Sequence, residues 1–125
     1  MPVCEREGLG QLCFSPLAQG ALSGKYAKGA RPEGSRAADG ERNQFMRAFL
    51  EPETLARIEA LGPIAAELGL SLPQLALACC LRRPGVSSAI AGVTRISQLE
   101  ENAKASGLEL PAEIEARIDQ IAPAS

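Results

Sequence analysis

The chain has 125 residues, of which 46% are apolar and only 3% aromatic, and its formal net charge is −2. This composition predicts one globular domain with a modest aliphatic core and excludes an intrinsically disordered chain. The slight acidity and the few aromatic rings argue against nucleic acid and anionic membranes as partners. We therefore predict a soluble, cytoplasmic protein without membrane insertion.

The first predicted element is a short strand from Gln11 to Phe14, which ends at Ser15-Pro16. A polar loop at residues 28–43 follows, and loops of this length are usually lids or disordered. A helix is predicted from Glu53 to Leu68 because its apolar residues recur on one face. Gly62-Pro63 is expected to kink or split this helix.

The sequence from Ser71 to Gln74 matches a capping box, which predicts the start of another helix. Residues 75–81 are apolar nearly all round, so this helix is expected to be buried on most sides. It should stop near residues 82–85. A second strand is then predicted from Val86 to Ala91, ending at Gly92.

Two further helices complete the pattern. The first is predicted from Arg95 to Ala105 with Thr94 or Ser97 as its cap, and Ser97 and Glu100 also have capping-box spacing. The second is predicted at residues 111–121, with Ile114, Ile118 and Ile121 on one face. Two strands separated by helices are expected to be parallel, joined by a right-handed crossover. Because two strands leave open edges, the α/β pattern indicates a slice of a larger barrel or sheet.

The four cysteines are Cys4, Cys13, Cys79 and Cys80, and the chain has no histidine. There is no C-x-x-C pair to form a zinc site, so no metal is predicted. We interpret the thiols as small buried apolar groups in a reducing compartment. Cys13 could be a nucleophile, but no base partner is evident.

The first candidate site for chemistry is the stretch from Gly20 to Tyr26. It resembles the phosphate loop G-x-x-x-x-G-K-[ST], but it is one residue short and Tyr26 replaces the metal-binding hydroxyl. Backbone N–H groups near Gly20 and Gly24, together with the Lys25 ammonium, would still suit an oxyanion. A simple turn with a solvated lysine explains the same residues, so both interpretations stay open.

The second candidate site runs from Gly92 to Arg95, where the second strand passes into a helix. A helix N-terminus offers unpaired N–H groups, Thr94 adds a hydroxyl and Arg95 adds a planar cation suited to phosphate. In α/β folds, phosphates bind at the carboxyl ends of strands. An ordinary capped helix with a surface arginine is the alternative.

Together the two sites resemble the aldo-keto reductases, most closely the branch of the potassium-channel β-subunits. The similarity runs from about Pro2 to Ile121. It rests on several motifs in the right order: residues 14–26, Gly34-Ser35-Arg36, residues 72–76, Gly85-Val86-Ser87-Ser88, Gly92-Val93-Thr94-Arg95 and residues 98–102.

The resemblance implies the C-terminal fragment of a (β/α)8 TIM barrel, with strands 7 and 8 and their helices, and NADPH as the cofactor. By this resemblance Phe14 stacks on the nicotinamide, the pyrophosphate lies along the next segment, and loop 28–43 covers the cofactor. The implied cofactor-binding residues are Phe14, Ser15, Pro16, Leu17, Ala18, Gln19, Lys25, Arg36, Gly92, Thr94, Arg95, Gln98, Glu101 and Asn102. Among these, Thr94 and Arg95 take the 2′-phosphate, while Gln98, Glu101 and Asn102 face the adenosine.

The family's catalytic Asp, Tyr, Lys and His belong to earlier barrel units, and none of those motifs occurs here. No catalytic residue is therefore assigned, and Tyr26 belongs to the Gly-Lys-Tyr motif instead. The leading hypothesis is the NADPH-binding part of a reductase of aldehydes and ketones, truncated or separated from its partner and inactive alone. The alternatives are an oligomerising interaction module and a nucleotide sensor.

The missing barrel units lead to a physical expectation. Their absence should expose Cys13, Phe14, Ile90 and the helix at residues 75–81, which would favour a homo-oligomer, a partner chain, a molten state or a rearranged packing.

Overall fold

The computed structural model describes residues 2–26, 30, 33, 35, 38 and 47–123. Most of the predicted loop 28–43, including Arg36, lies outside these described residues. The described elements are, in order, helix α1 (Pro2–Arg6), strand β1 (Gln11–Phe14), a 3-10 segment (Ala18–Ser23), a second 3-10 segment (Arg47–Leu50), α2 (Pro52–Glu67), α3 (Leu72–Leu81), β2 (Val86–Ile90), α4 (Ile96–Ala103) and α5 (Ala112–Ile121).

The two strands pair in parallel, which confirms the predicted parallel pairing. Cys13 lies opposite Ala89 and Phe14 lies opposite Ile90 at the carboxyl ends of the strands. The side chains alternate, so Cys13 and Ala89 are half-buried while Leu12, Phe14 and Ile90 are exposed. One face of the sheet is therefore covered by α3, and the other is open.

Helix α2 continues through Pro63, so of the two expected effects of Gly62-Pro63, a kink or a split, the split is wrong. A residue before proline normally avoids the helical region because its Cβ collides with the proline ring. Gly62 has no Cβ, which removes much of this conflict. The glycine that appeared to be a helix breaker in the sequence thus allows the proline to remain inside the helix.

Helix α3 begins with the predicted capping box. The Gln74 N–H donates to Ser71 Oγ at 3.3 Å, and the Ser71 N–H donates to Gln74 Oε1 at 3.0 Å. Leu75, Ala76, Leu77 and Ala78 are all buried, which confirms the prediction of a helix buried on most sides. The exposure expected from the missing barrel units is wrong for these residues. The reason is that α2, α4 and the first 3-10 segment pack around it.

Helix α5 completes the larger of two core clusters, where Ile114 and Ile118 pack with Ile64, Ala65 and Leu75. The predicted isoleucine stripe is thereby confirmed. Arg82, just after α3, donates to Asp119 at 2.7 Å and lies 3.1 Å from a Glu115 oxygen. Burial acts to lower the pKa of Arg82, but its hydrogen bonds to Glu115 and Asp119 outweigh this effect and hold the pKa above its usual value. These contacts join the end of α3 to α5.

The four cysteines, all within the described residues, are half-buried and form no disulfide. Burial raises the pKa of the Cys79 and Cys80 thiols, which keeps them protonated near neutral pH. The described residues contain no cluster of three or more side chains that could hold a metal ion. In the same part of the chain no single helix could cross a membrane, and only the α2–α3 pair, bent by 93°, has the required length and composition.

Candidate functional site

A cleft of about 710 Å³ lies where the two parallel strands end. Phe14 and Ile90, the last residues of β1 and β2, both line it. The segments that follow each strand form two of its walls, and the inner face of α4 forms a third. The parallel pairing thus brings together the two candidate sites that are separated by about 70 residues in the sequence.

The wall after β1 has an unusual backbone. Ser15, Ala18 and Gln19 have positive φ angles of 53°, 48° and 58°, and Gly20 follows at 97°. Left-handed conformations are costly for residues other than glycine, and they concentrate at ligand sites. The Gln19 amide steadies this turn by donating to Ser15 Oγ at 2.8 Å. Tightly coiled backbones of this kind form the concave surfaces that bind anions in other proteins.

Within the Gly-Lys-Tyr motif, Lys25 and Tyr26 have different roles. Tyr26 is only 1% exposed and packs with Ala21 and Ile58 in the smaller core cluster. Lys25 is exposed and lines the cleft, with its Nζ 5.1 Å from the centre of the Tyr26 ring. A Cβ added at Gly20 would lie 3.5 Å from this Nζ, so the lysine side chain folds back over Gly20. The buried tyrosine therefore anchors the residue that carries a cation to the cleft.

The junction of β2 and α4 differs from the prediction in its cap. Arg95 occupies the N-cap position, and the expected caps at Thr94 and Ser97 are wrong. Gln98 Oε1 accepts the Arg95 N–H at 3.2 Å, the Thr94 N–H at 2.9 Å and the Thr94 hydroxyl at 3.2 Å. Gln98 Oε1 therefore already pairs with two of the backbone N–H groups, those of Thr94 and Arg95, at the helix N-terminus where the sequence predicted an anion.

Gln74 fixes α4 against α3. This buried amide donates to the Glu101 backbone oxygen at 3.0 Å and to Glu101 Oε1 at 2.9 Å. The other Glu101 oxygen pairs with Lys104 at 3.1 Å. The α4 wall of the cleft is therefore held in place by Gln74, which also belongs to the capping box of α3. The sequence pattern predicted the capping role of Gln74 but not its contact with α4.

Most of the residues predicted to bind the cofactor surround this one cleft. Those that line it are Phe14, Ser15, Pro16, Leu17, Gln19, Lys25, Gly92, Thr94, Gln98, Glu101 and Asn102. Ala18 and the exposed Arg95 lie beside it without lining it, and Arg36 is outside the described residues. The lining residues absent from that prediction are Gly20, Ser23, Pro73, Ile90, Ala91, Val93 and Ser97. All of these except Pro73 lie within two residues of a predicted residue, and this proximity was the available signal, whereas only the fold brings Pro73 near.

Comparison with known proteins identifies the family of the chain. The model of the aldo/keto reductase family matches residues 1–123. Two similar relatives carry the name "Probable voltage-gated potassium channel subunit beta". The Arabidopsis thaliana protein is 46% identical over 105 residues and the Oryza sativa subsp. japonica protein is 47% identical over 105 residues. Each match covers 84% of this chain but only 32% of the relative, so the matched region is about a third of the relatives' length.

Proposed function

The chain belongs to the aldo/keto reductase family, and we propose that it forms the NADPH-binding part of an oxidoreductase that reduces aldehydes or ketones. The observation that supports this proposal best is the single cleft at the carboxyl ends of β1 and β2, with Lys25 on one wall and Thr94 on another. In barrel enzymes this end of the strands holds the ligand.

The residues of the cleft fit a dinucleotide. Its volume of about 710 Å³ lies in the usual range of ligand sites, roughly 300–1,000 Å³. Phe14 presents an apolar ring that is 82% exposed, which suits a planar heterocycle. Lys25 supplies a cation beside the coiled backbone after β1, which suits phosphate oxygens. The cleft thus combines an aromatic surface with an anion-binding wall.

We assign the residues to the parts of NADPH as follows. Phe14 contacts the nicotinamide, Ser15 to Gln19 and Lys25 hold the pyrophosphate, and Thr94 and Arg95 hold the 2′-phosphate. Gln98, Glu101 and Asn102 contact the adenosine, and Gly92 lets the backbone approach it. In the complete enzyme, a cofactor held by these residues would supply the hydride for the carbonyl carbon. Because Gln98 accepts from the Thr94 hydroxyl in this structure, the 2′-phosphate must compete with Gln98 for that group.

The chain alone is proposed to be inactive as a reductase. The sequence has no histidine, and its only tyrosine is buried in the smaller core cluster, away from any role as a proton donor. A steady-state assay with NADPH and a reactive aldehyde tests this proposal through the loss of NADPH absorbance. No turnover by the purified 125-residue chain is expected, and turnover above the rate without protein would contradict the assignment.

Lys25→Met is expected to weaken NADPH and NADH equally, by roughly 10- to 100-fold each, because the pyrophosphate is common to both and a lost charged hydrogen bond has this size. Titration calorimetry measures both affinities. Arg57→Met is the matched control, since Arg57 lies on α2 in an exposed pair with Glu53 outside the cleft. If Lys25→Met and Arg57→Met lost cofactor affinity equally, the effect would come from the net charge of the chain and not from a contact of Lys25 in the cleft.

Arg95→Met is expected to weaken NADPH by about 10-fold while leaving NADH unchanged, because only NADPH carries the 2′-phosphate. The ratio of the two dissociation constants is the measurement. Arg95 is exposed at the start of α4, so its loss should not disturb the fold. If the ratio of the NADPH and NADH dissociation constants is the same in the variant and in the original chain, Arg95 does not contact the 2′-phosphate.

Assembly is the second candidate function, and the open face of the sheet favours it. Leu12, Phe14 and Ile90 are 67%, 82% and 57% exposed, respectively, on one face. Such a face and its strand edges favour pairing with a second copy or with a chain that supplies further barrel units. Sedimentation velocity tests this candidate, because a strictly monomeric chain across a wide range of concentrations would exclude self-assembly.

A further inference from the structure

Gln98, in the first turn of α4, gathers three hydrogen-bond donors on one oxygen atom. Its Oε1 accepts the Thr94 N–H at 2.9 Å, the Arg95 N–H at 3.2 Å and the Thr94 hydroxyl at 3.2 Å. The two backbone groups can only donate, so the amide must turn its oxygen and not its nitrogen toward them. The oxygen of Gln98 therefore occupies a point at which three donors converge.

The residue at the N-cap of α4 explains why Gln98 takes this position. Arg95 is the N-cap, and a guanidinium has no acceptor with which to cap a helix. In α3 the N-cap is Ser71, whose hydroxyl accepts the Gln74 N–H. At α4 the glutamine instead supplies the acceptor, and it does so at the exposed end of the helix. The bonds of Gln98 are therefore open to competition from a ligand.

A phosphate oxygen at this wall of the cleft would need the same donors. Thr94 and Gln98 both line the cleft, and Arg95 lies beside it. Hydrogen bonds to a charged oxygen are roughly twice as strong as neutral ones, so a phosphate can displace an amide oxygen. A ribose 2′-hydroxyl carries no charge and lacks this advantage. The two nicotinamide cofactors should therefore treat Gln98 differently, because only NADPH carries the 2′-phosphate.

We propose that Gln98 sets the preference of the cleft between NADPH and NADH, because its amide oxygen must leave the Thr94 and Arg95 donors before a 2′-phosphate binds to them. The proposal rests on the proposed NADPH site and adds a residue that opposes one cofactor only. NADH leaves the bonds of Gln98 intact, whereas NADPH breaks them. The displaced amide is then free to contact the adenosine.

Gln98→Leu removes the amide oxygen and keeps a side chain of similar bulk. The ratio of the NADH to the NADPH dissociation constant should rise by about fivefold, the equivalent of one neutral hydrogen bond. Titration calorimetry measures both constants. Gln120→Leu is the matched control, since it makes the same change at an exposed position of α5 outside the cleft and should alter neither constant. A cap that only supports the helix would weaken both cofactors equally, so an unchanged ratio in Gln98→Leu would overturn the proposal.

Gln98→Glu tests the same position in the opposite direction, and it remains informative if the leucine variant does not fold. A carboxylate accepts the same N–H groups and so keeps the cap. Its negative charge opposes a phosphate, so the ratio of the NADH to the NADPH dissociation constant should fall by about tenfold. A ratio that is unchanged or higher in this variant would place the 2′-phosphate away from Gln98 and overturn the proposal.

The same titrations separate the role of Gln98 from the proposed function. If NADPH and NADH both bind but neither variant changes the ratio of their dissociation constants, the cofactor site stands and the role of Gln98 is wrong. If neither cofactor binds to the original chain or to any variant, the proposed cofactor site fails and the role of Gln98 fails with it.

Discussion

Tyr26→Ala is expected to lower the free energy of unfolding by about 3–5 kcal/mol, the usual cost of removing a large buried ring. Tyr26 is one of the largest fully buried side chains and packs with Ala21 and Ile58. Domains have total stabilities of about 5–15 kcal/mol, so this single change should remove a large fraction. The same change also frees Lys25 from its anchor, so binding of pyrophosphate should be lost with it.

Tyr26→Phe is the matched control for this prediction. It keeps the ring and removes only a hydroxyl that has no partner within the described part of the chain. Its stability should stay within about 1 kcal/mol of the original chain. Urea unfolding followed by circular dichroism compares the three proteins. If the phenylalanine variant lost as much stability as the alanine variant, the hydroxyl and not the ring would hold this part of the core.

Gln74→Leu is expected to cost about 2–4 kcal/mol, because it removes two kinds of contact at once. The Ser71 N–H loses its reciprocal cap, which is worth about 1 kcal/mol. Glu101 loses the amide that donates to its backbone oxygen and its carboxylate, and each of these partly buried hydrogen bonds contributes about 0.5–1.5 kcal/mol. The α4 wall should then loosen, so NADPH binding should fall together with stability.

Gln120→Leu provides the comparison, since it makes the same chemical change at an exposed position on α5. Thermal unfolding of both variants gives the measurement. We expect the control to unfold within a few degrees of the original chain and Gln74→Leu to unfold well below it. Equal midpoints for the two variants would mean that the contacts of Gln74 with Ser71 and Glu101 contribute nothing measurable.

Local patterns in the sequence predicted the elements well where the deciding contacts are local. The β1 strand was predicted with its observed bounds, and the Ser71–Gln74 capping box needs only a spacing of three residues. The isoleucine stripe of α5 is likewise a periodicity along one helix. In each case the stabilising groups lie within a few residues of one another, so their spacing is enough.

The predictions failed where two local rules compete. Pro63 breaks helices in general, but the missing Cβ of Gly62 relieves the clash. Several residues could have capped α4, and the choice was made by the Gln98 side chain, which serves Thr94 and Arg95 together. Sequence spacing alone does not show which residue will cap the helix, because each possible cap stabilises it by only about 1 kcal/mol.

Contacts between distant segments were beyond the sequence patterns. The bond from Gln74 to Glu101 spans 27 residues, and nothing in either local motif predicts it. The left-handed backbone at Ser15, Ala18 and Gln19 is equally hidden, because none of these is a glycine. The cleft therefore follows partly from recognisable motifs and partly from a fold that only the structure reveals.

The described elements are mostly helical with a two-stranded parallel sheet, as expected for part of a (β/α)8 barrel. The exposed faces of Leu12, Phe14 and Ile90 would point into such a barrel. Burial of Leu75 to Ala78 shows that the helices around α3 form their own core without further strands. This separation between a covered helical side and an open sheet face supports both proposed functions.

The most direct test of the account is an NADPH titration of the 125-residue chain, followed by two-dimensional NMR of its backbone amides. We expect saturable shifts at Ser15, Gln19, Lys25, Thr94 and Gln98, with smaller shifts for NADH near Thr94. Helix α5, which does not line the cleft, should stay unchanged. An absence of shifts at millimolar NADPH, or shifts confined to residues outside the cleft, would contradict the proposed cofactor site.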